Sequence, residues 1–267
     1  MTVLLITGAS RGIGYACVLR ALSLPDVRVF GVARSSEHLA ALAETAGQPD
    51  RFAWFAGDVT DRAVCARILD ECLNRFGRLD AVIQNAGTLQ PIAKIADADV
   101  DAWRSLFEIN FFSVLELTRL VLPELRKSKG AIVMVSSGAA NYGYTAWGAY
   151  GSSKAALKHL TMTLTAEETD VTAMGLSPGR VDTEMQAVLR AEGKAAMDPS
   201  DYQSFKEAKE TGQLVKPEDC ARSLVALAVG GRGGSWRGFE GKWNERSVQQ
   251  LAAQVFGRTQ RLDMPQK

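Results

Sequence analysis

The sequence predicts a doubly wound α/β fold, a parallel sheet of about seven strands with helices on both faces. Two observations carry that prediction. Short, nearly continuous apolar runs rich in valine and isoleucine read as strands buried on both faces. Longer amphipathic stretches of helical period separate them, and the alternation repeats six times along the chain.

The first run, 3–7 (VLLIT), ends at Gly8 and leads into a helix over 12–24. The runs 27–33 (VRVFGVA) and 52–57 (FAWFAG) follow, and then a helix over 61–76. The run 79–84 (LDAVIQ) precedes a long amphipathic stretch at 101–127, and 131–136 (AIVMVS) precedes another at 149–167. After 171–177 (VTAMGLS) comes a polar, helical, charged segment, 184–216, with no strand pattern. It lies between a strand end and the next helix, the place of a substrate lid. The glycine-rich piece 230–238 (GGRGGSWRG) reads as a loop before a seventh strand near 239–244 (FEGKWN). A C-terminal tail from about 246 carries a short helix (SVQQLAAQVFG) and then frays. No linker, repeat or low-complexity tract divides the pattern, so residues 1–267 read as a single domain.

Composition narrows the function. Thirty-one basic and thirty acidic side chains leave a net charge of +1, without the basic excess of a protein that neutralises many phosphates, so no nucleic-acid partner is expected. The N-terminal run lacks a basic n-region and a full h-region, and no window reaches the length of a membrane span. The expected setting is the cytoplasm, away from membranes. Cys17, Cys65, Cys72 and Cys220 are too scattered for a disulfide framework or a zinc site, and read as buried small hydrophobes. Only His38 and His159 offer imidazoles, so no metal site and no histidine-based hydrolysis is expected.

The first strand-to-helix junction, GASRGIG, places glycines at 8, 12 and 14. Gly8 permits the sharp turn, Gly12 lets a pyrophosphate approach the backbone, and Gly14 allows close helix packing. The free amides of the helix N-terminus then face the anion. Ser10, Arg11 and Ile13 complete this turn of a dinucleotide site. No Gly-Lys-Ser/Thr follows, which excludes a Walker loop. At the end of the second strand, Ala33, Arg34 and Ser35 stand where a carboxylate would select NAD. Arg34 and Arg11 together favour the extra phosphate of NADP(H) by charge and bidentate geometry.

The segment YGSSK sets Tyr150 and Lys154 on one face of a helix, phenol beside ammonium. A free phenol ionises near pH 10, and bringing it to about 7 requires roughly 4 kcal/mol. A nearby ammonium and a positive nicotinamide ring in a dry site are the expected sources. Such a tyrosine can protonate a carbonyl oxygen, or deprotonate an alcohol, as hydride moves. Ser137 lies at the carboxyl end of the AIVMVSS strand, where its hydroxyl can orient the substrate oxygen. Ser136 points to the opposite face, in a structural role.

TGASRGIG at 7–14, DVT at 58–60, NAG at 85–87, Asn110 in EINFFS, Ser137, YGSSK and SPGRVDT at 177–183 together resemble the short-chain dehydrogenase/reductase family, in its order and spacing. The resemblance spans about 1–245 and implies a single Rossmann-like domain. It implies a catalytic tetrad of Asn110, Ser137, Tyr150 and Lys154. Tyr150 is the acid/base, Lys154 lowers its pKa and holds the nicotinamide ribose, and Asn110 fixes a water that relays protons. It further implies that Asp58 and Val59 meet the adenine. Asn85, Ala86 and Gly87 line the adjacent ribose, and Pro178, Gly179, Val181 and Thr183 hold the carboxamide.

Within the family, NFFSVLELT, AYGSSKAALKH and PGRVDTEMQ are most similar to benzil reductase and sepiapterin reductase-like carbonyl reductases of fungi and bacteria. That implies NADPH-dependent reduction of a ketone or α-diketone, with a small aromatic carbonyl compound as substrate. Glu240 and Glu245 are the two candidates for the acidic side chain that anchors substrate in the sepiapterin reductases. Tyr142, Tyr144, Trp147, Met185 and the 184–216 lid, together with Ser137 and Tyr150, are the expected pocket. Extra apolar residues on the two long helices, among them Phe107, Phe111, Phe112, Leu115 and Leu160, predict a homodimer or homotetramer, as is common in the family. The alternatives are a redox sensor that holds NADP(H) without turnover, and alcohol oxidation on the same scaffold.

Overall fold

A computed structural model describes residues 1–260. The strands are β1 (Thr2–Thr7), β2 (Val27–Ala33), β3 (Phe52–Ala56), β4 (Ala81–Gln84), β5 (Ala131–Val135), β6 (Thr172–Ser177) and β7 (Glu240–Lys242). All pair in parallel, in the order β3-β2-β1-β4-β5-β6-β7. The helices are α1 (Gly12–Leu22), α2 (Ser36–Ala46), α3 (Arg62–Phe76), α4 (Val100–Phe107), α5 (Ser113–Ser128), α6 (Gly148–Glu167), α7 (Glu184–Ala196), α8 (Pro199–Glu210), α9 (Pro217–Gly230) and α10 (Arg246–Gln260). The seven expected strands are present, each end within two residues of its expected place.

The period-2 alternation of the strands sorts the core into two layers. Leu4, Ile6, Val29, Ile83, Val133 and Leu176 face α1, α2, α9 and α10. Val3, Leu5, Phe30, Val82, Ile132 and Met134 face α3, α5 and α6. With both faces covered, even the outward positions of β1, β4 and β5 are buried, which is why those runs carry no polar alternation.

One element differs from expectation and two gain detail. The stretch 101–127 is two helices, α4 and α5, joined by a π-turn at Glu108–Phe112. Periodicity does not reveal it, because an inserted wide turn keeps the chain helical. The segment 184–216 folds into α7 and α8. The piece beginning at 246 is a docked helix, α10, whose Val248, Leu251 and Ala252 stand at helical spacing and pack with α9 into the first core layer. The fraying expected after it falls on 261–267, outside the described residues. Among the described residues no helix is long and apolar enough to cross a membrane.

Candidate active site

Every motif singled out in the sequence lies at the carboxyl edge of the sheet. Gly8 and Gly12 both have positive φ, +67° and +55°. A Cβ on Gly14 would overlap the carbonyl oxygen of Gly8, so only glycine lets α1 start this close to β1. Ser35, Asp61 and Asp99 cap α2, α3 and α4 with side-chain hydrogen bonds, whereas Arg11, at the head of α1, caps nothing. The head of α1 lacks a side-chain cap, as do those of α6 to α9. Only at α1, however, do glycines at 8, 12 and 14 bring the backbone close enough to β1 to fit the diphosphate of a dinucleotide.

Distant segments close around this turn. Asn85 donates through Nδ2 to the carbonyls of Thr7 (2.9 Å) and Gly8 (3.2 Å). The Thr7 hydroxyl accepts from the amides of Asn85 and Ala86, each at 3.0 Å. Thr183 comes from the far end of the chain, and a Cβ on Gly12 would lie 3.2 Å from its Cγ2. Gly179 has φ +78°, and the strand-like bridge from Val181 to Val215 ties Pro178–Thr183 to the end of the 184–216 segment.

Asp58 lies exposed at the end of β3, where its Oδ1 accepts from the amide (2.9 Å) and hydroxyl (2.8 Å) of Thr60. The cap of the following helix is Asp61. Val59 is half-buried beside Asp58, and its carbonyl accepts from the Cys65 thiol at 3.1 Å. Arg34 is exposed after β2, and Ser35 beside it caps α2. Arg11, expected to converge with Arg34, instead pairs with Glu184 in the first turn of α7. An acidic residue six places after Pro178 was the available signal for that contact.

The reactive group is assembled between β5 and α6. Ser137 follows β5 and heads a short 3₁₀ turn, its Oγ accepting from the Ala139 amide at 3.2 Å. The Ser137 hydroxyl lies near enough to the Tyr150 phenol to oppose part of the effect of burial on it. Burial pushes Tyr150 above its usual value, against the Ser137 hydroxyl that pulls it down. The depression expected of Tyr150 is thus not seen, because burial outweighs the nearby Ser137 hydroxyl. Lys154 is buried one helical turn on, its Nζ 5.7 Å from the Tyr150 ring centre and donating to the Val135 carbonyl at 2.8 Å. Burial lowers Lys154 to about 8, opposed by the carboxylate of Glu240.

Asn110 occupies the π-turn and is fully buried. Its Nδ2 donates to the Thr88 carbonyl (2.9 Å) and the Ser153 hydroxyl (3.1 Å), and its Oδ1 accepts from the Thr88 amide (2.8 Å). Both amide hydrogens are committed to protein. The side chain pins the segment after Gly87 to α6, next to Lys154.

An aromatic cluster adjoins Tyr150. The Trp147 ring is 5.5 Å from it, and Tyr144 is 5.2 Å from Trp147. Met185 packs on the same cluster. Sequence reasoning missed Phe205, which enters from α8 and is buried 5.0 Å from Trp147 with the Arg180 guanidinium 4.2 Å above its ring. Two aromatics three apart, Tyr202 and Phe205, on an otherwise polar helix were the signal. Tyr142 leaves the expected pocket: it sits on a turn after the 3₁₀ segment, 66% exposed. Neither acidic candidate reaches the cluster. Glu245 accepts from the Lys242 amide at 2.8 Å, closing the turn after β7, and Glu240 lies over Gly175 beneath α6.

The four cysteines are free and buried. Burial holds Cys72 and Cys220 up at about 12, so neither offers a thiolate.

Residues 2–194 match the family model described as short chain dehydrogenase. An uncharacterized oxidoreductase of Schizosaccharomyces pombe is 47% identical over 230 residues, covering 85% of this chain and 90% of the relative. A benzil reductase ((S)-benzoin forming) of Saccharomyces cerevisiae is 38% identical over 256 residues, covering 92% and 97%. The crystal structure of a short-chain dehydrogenase/reductase from Saccharomyces cerevisiae superposes with a TM-score of 0.90 at 39% identity, covering 94% of this chain and 99% of that one.

Proposed function

We propose, from the premise that this chain belongs to the short-chain dehydrogenase family, that it is an NADPH-dependent reductase of ketones and α-diketones. The observation that carries the reading is the buried pair of Tyr150 and Lys154 one helical turn apart on α6, with the Lys154 Nζ 5.7 Å from the Tyr150 ring centre and Ser137 at the end of β5 beside them.

A reduced nicotinamide cofactor, held by the residues named below, would supply the hydride for the carbonyl carbon. Ser137 and Tyr150 both aim a hydroxyl at the carbonyl oxygen, and Tyr150 gives up its proton to form the alcohol. Lys154 lowers the cost of the phenolate that remains. Asn110 keeps the Gly87 and Lys154 backbones in register. The glycine turn, Asn85–Gly87 and Pro178–Thr183 hold the cofactor, with Asp58 and Val59 toward its adenine. Arg34, exposed and uncompensated by a carboxylate at the end of β2, supports the choice of a 2′-phosphate. Tyr144, Trp147, Met185 and Phe205 suit a flat apolar substrate, which the benzil reductase among the relatives supports.

The segment 184–216 acts as the lid of this pocket. Phe112 and Leu115 are 48% and 39% exposed beside Val100 and Met162, and this face of α4–α6 pairs with a second copy. A cytoplasmic setting is supported by the four free thiols.

The test is a panel of aryl diketones, simple ketones and sugars with NADPH and NADH, followed by reduced-nicotinamide absorbance. Benzil with NADPH is expected to lead. Tyr150→Phe should lower its turnover by about a thousandfold, within the usual range of a lost general acid, and leave NADPH affinity intact. Equal rates for sugars and diketones, or full activity in the Tyr150→Phe variant, would refute the assignment.

A further inference from the structure

Behind the reactive group the fold buries a carboxylate that the mechanism above does not use. Met134, Gly175 and Glu240 stand in register across β5, β6 and β7. Side chains in register on parallel neighbours share a face. Met134 faces α6, where the Thr161 hydroxyl meets its sulfur at 3.2 Å. Glu240 therefore faces α6 as well, and its carboxylate lies across β6 in the space a Cβ on Gly175 would fill. Ser136, two residues beyond Met134, turns its buried hydroxyl to the same layer and toward that carboxylate. Neither Ser136 Oγ nor Glu240 Oε2 has a partner at hydrogen-bond distance.

Burial pushes the half-buried Glu240 carboxyl up, and the Ser136 hydroxyl, Lys158 and Lys154 pull it back down, so its charge depends on these neighbours. The cations that act on it are Lys158 and then Lys154, both on α6. β5 and β6 contribute the Val135 carbonyl, the Ser136 hydroxyl and bare Gly175. Lys158 is half-exposed and spends its Nζ on Asn141 at 2.6 Å, whereas Lys154 is buried and its Nζ reaches only a neutral carbonyl. The Lys154 Nζ at the end of β5 and the half-buried Glu240 carboxylate over the adjoining β6 thus lie on the same face of the sheet, near each other but without a direct ion pair.

We propose that Glu240 is a positioning residue that acts through Lys154: its carboxylate, folded over Gly175, is the counter-charge that keeps the Lys154 ammonium protonated behind Tyr150. Gly175 is part of the same device, since any side chain there would evict the carboxylate. The sign follows from the two charges. Burial drives Lys154 toward its neutral form and the Glu240 carboxylate opposes this. Removing the carboxylate lets burial win, so the lysine loses its proton at lower pH. Both the support of Tyr150 and the hold on the cofactor then fade earlier as pH rises.

The inference rests on the proposed reductase chemistry, so the test reads two limbs. One is the alkaline limb of kcat/KM for benzil with NADPH. The other is the alkaline limb of NADPH affinity, followed by cofactor fluorescence without turnover. Glu240→Gln should move both limbs to lower pH by about 1 unit, the scale of one buried charge–charge interaction. Glu240→Asp, which restores the charge, should return both toward wild type. Where Glu240→Gln fails to fold, Ser136→Ala carries the test. It deletes the hydroxyl that helps keep Glu240 ionised and should shift both limbs the same way by less. Limbs that superimpose on wild type, or a Glu240→Asp variant that behaves like Glu240→Gln, would overturn the proposal. Absence of carbonyl reduction would remove the function proposed above and leave the binding limb as the judge of Glu240.

Discussion

The two walls of the cofactor groove are built from different kinds of instruction. On the α1 side the constraints are backbone ones: three glycines, an uncapped helix head, and Asn85 tied to the carbonyls of Thr7 and Gly8. On the α7–α8 side they are side-chain ones: Phe205 against Trp147 and Tyr144, and Arg180 above Phe205. The first wall has no slack, because a missing atom is what makes room. The second is a packed cluster on helices tied to the body by the Val181–Val215 bridge and by side-chain contacts such as Thr145 with Asp201 and Gln90 with Glu192. The first suits a ligand that never changes, and the second a substrate that must enter and leave.

The sharpest way to break that contrast is to add one methyl group to the rigid wall. Gly14→Ala places a Cβ on the Gly8 carbonyl and 2.7 Å from Asn85 Nδ2, both fixed by the sheet. Overpacking of this kind costs about 1–3 kcal/mol. NADPH affinity should fall by about two orders of magnitude, the upper end of that range expressed as binding. Fluorescence titration and a thermal melt measure the two consequences. Native affinity in the Gly14→Ala variant would show that the turn yields and that the walls do not differ in kind.

The matching change on the other wall is Phe205→Ala. A buried phenylalanine in a global core costs about 3–5 kcal/mol when truncated; if 184–216 opens as the proposed lid, the loss is limited to that opening. The expected outcome is a KM for benzil raised about tenfold, NADPH affinity within about twofold, and faster proteolytic nicking within 184–216. Cofactor affinity lost in parallel with KM would mean that the two walls respond as one body.

The same contrast explains what could be read from the chain. The glycine turn, the NAG motif and Tyr150–Lys154 were legible because each encodes its geometry within a few residues: a backbone conformation, a turn, one helical repeat. So were the seven strands, whose unbroken apolar runs follow from a sheet covered on both sides. The π-turn at Asn110 was not, since it leaves helical periodicity intact. Phe205 and Glu240 were not placed, because what gives each its role arrives from elsewhere: Trp147 from before α6, Gly175 and Lys154 from two other elements. Tyr142 shows the converse. An aromatic in the right segment was expected in the pocket, but its turn carries it into solvent.

One contact spans both walls, and it supplies the smallest and most specific test. Arg11, at the head of α1, pairs with Glu184 in the first turn of α7. Both side chains are well exposed, so the pair contributes little to stability. It nevertheless holds the guanidinium on the lid, away from a 2′-phosphate. Glu184→Gln removes the competitor and leaves the glycine turn untouched. NADPH should then bind about threefold tighter at low salt, in keeping with the few tenths to 1 kcal/mol of an exposed pair. NADH affinity should not change, and the gain should shrink as salt is added. Calorimetric titration of both cofactors at two ionic strengths separates the outcomes. An equal gain for NADH would mean that Glu184 acts by repelling the diphosphate that both cofactors carry. Arg11 would then belong to the lid, leaving Arg34 to distinguish the two coenzymes.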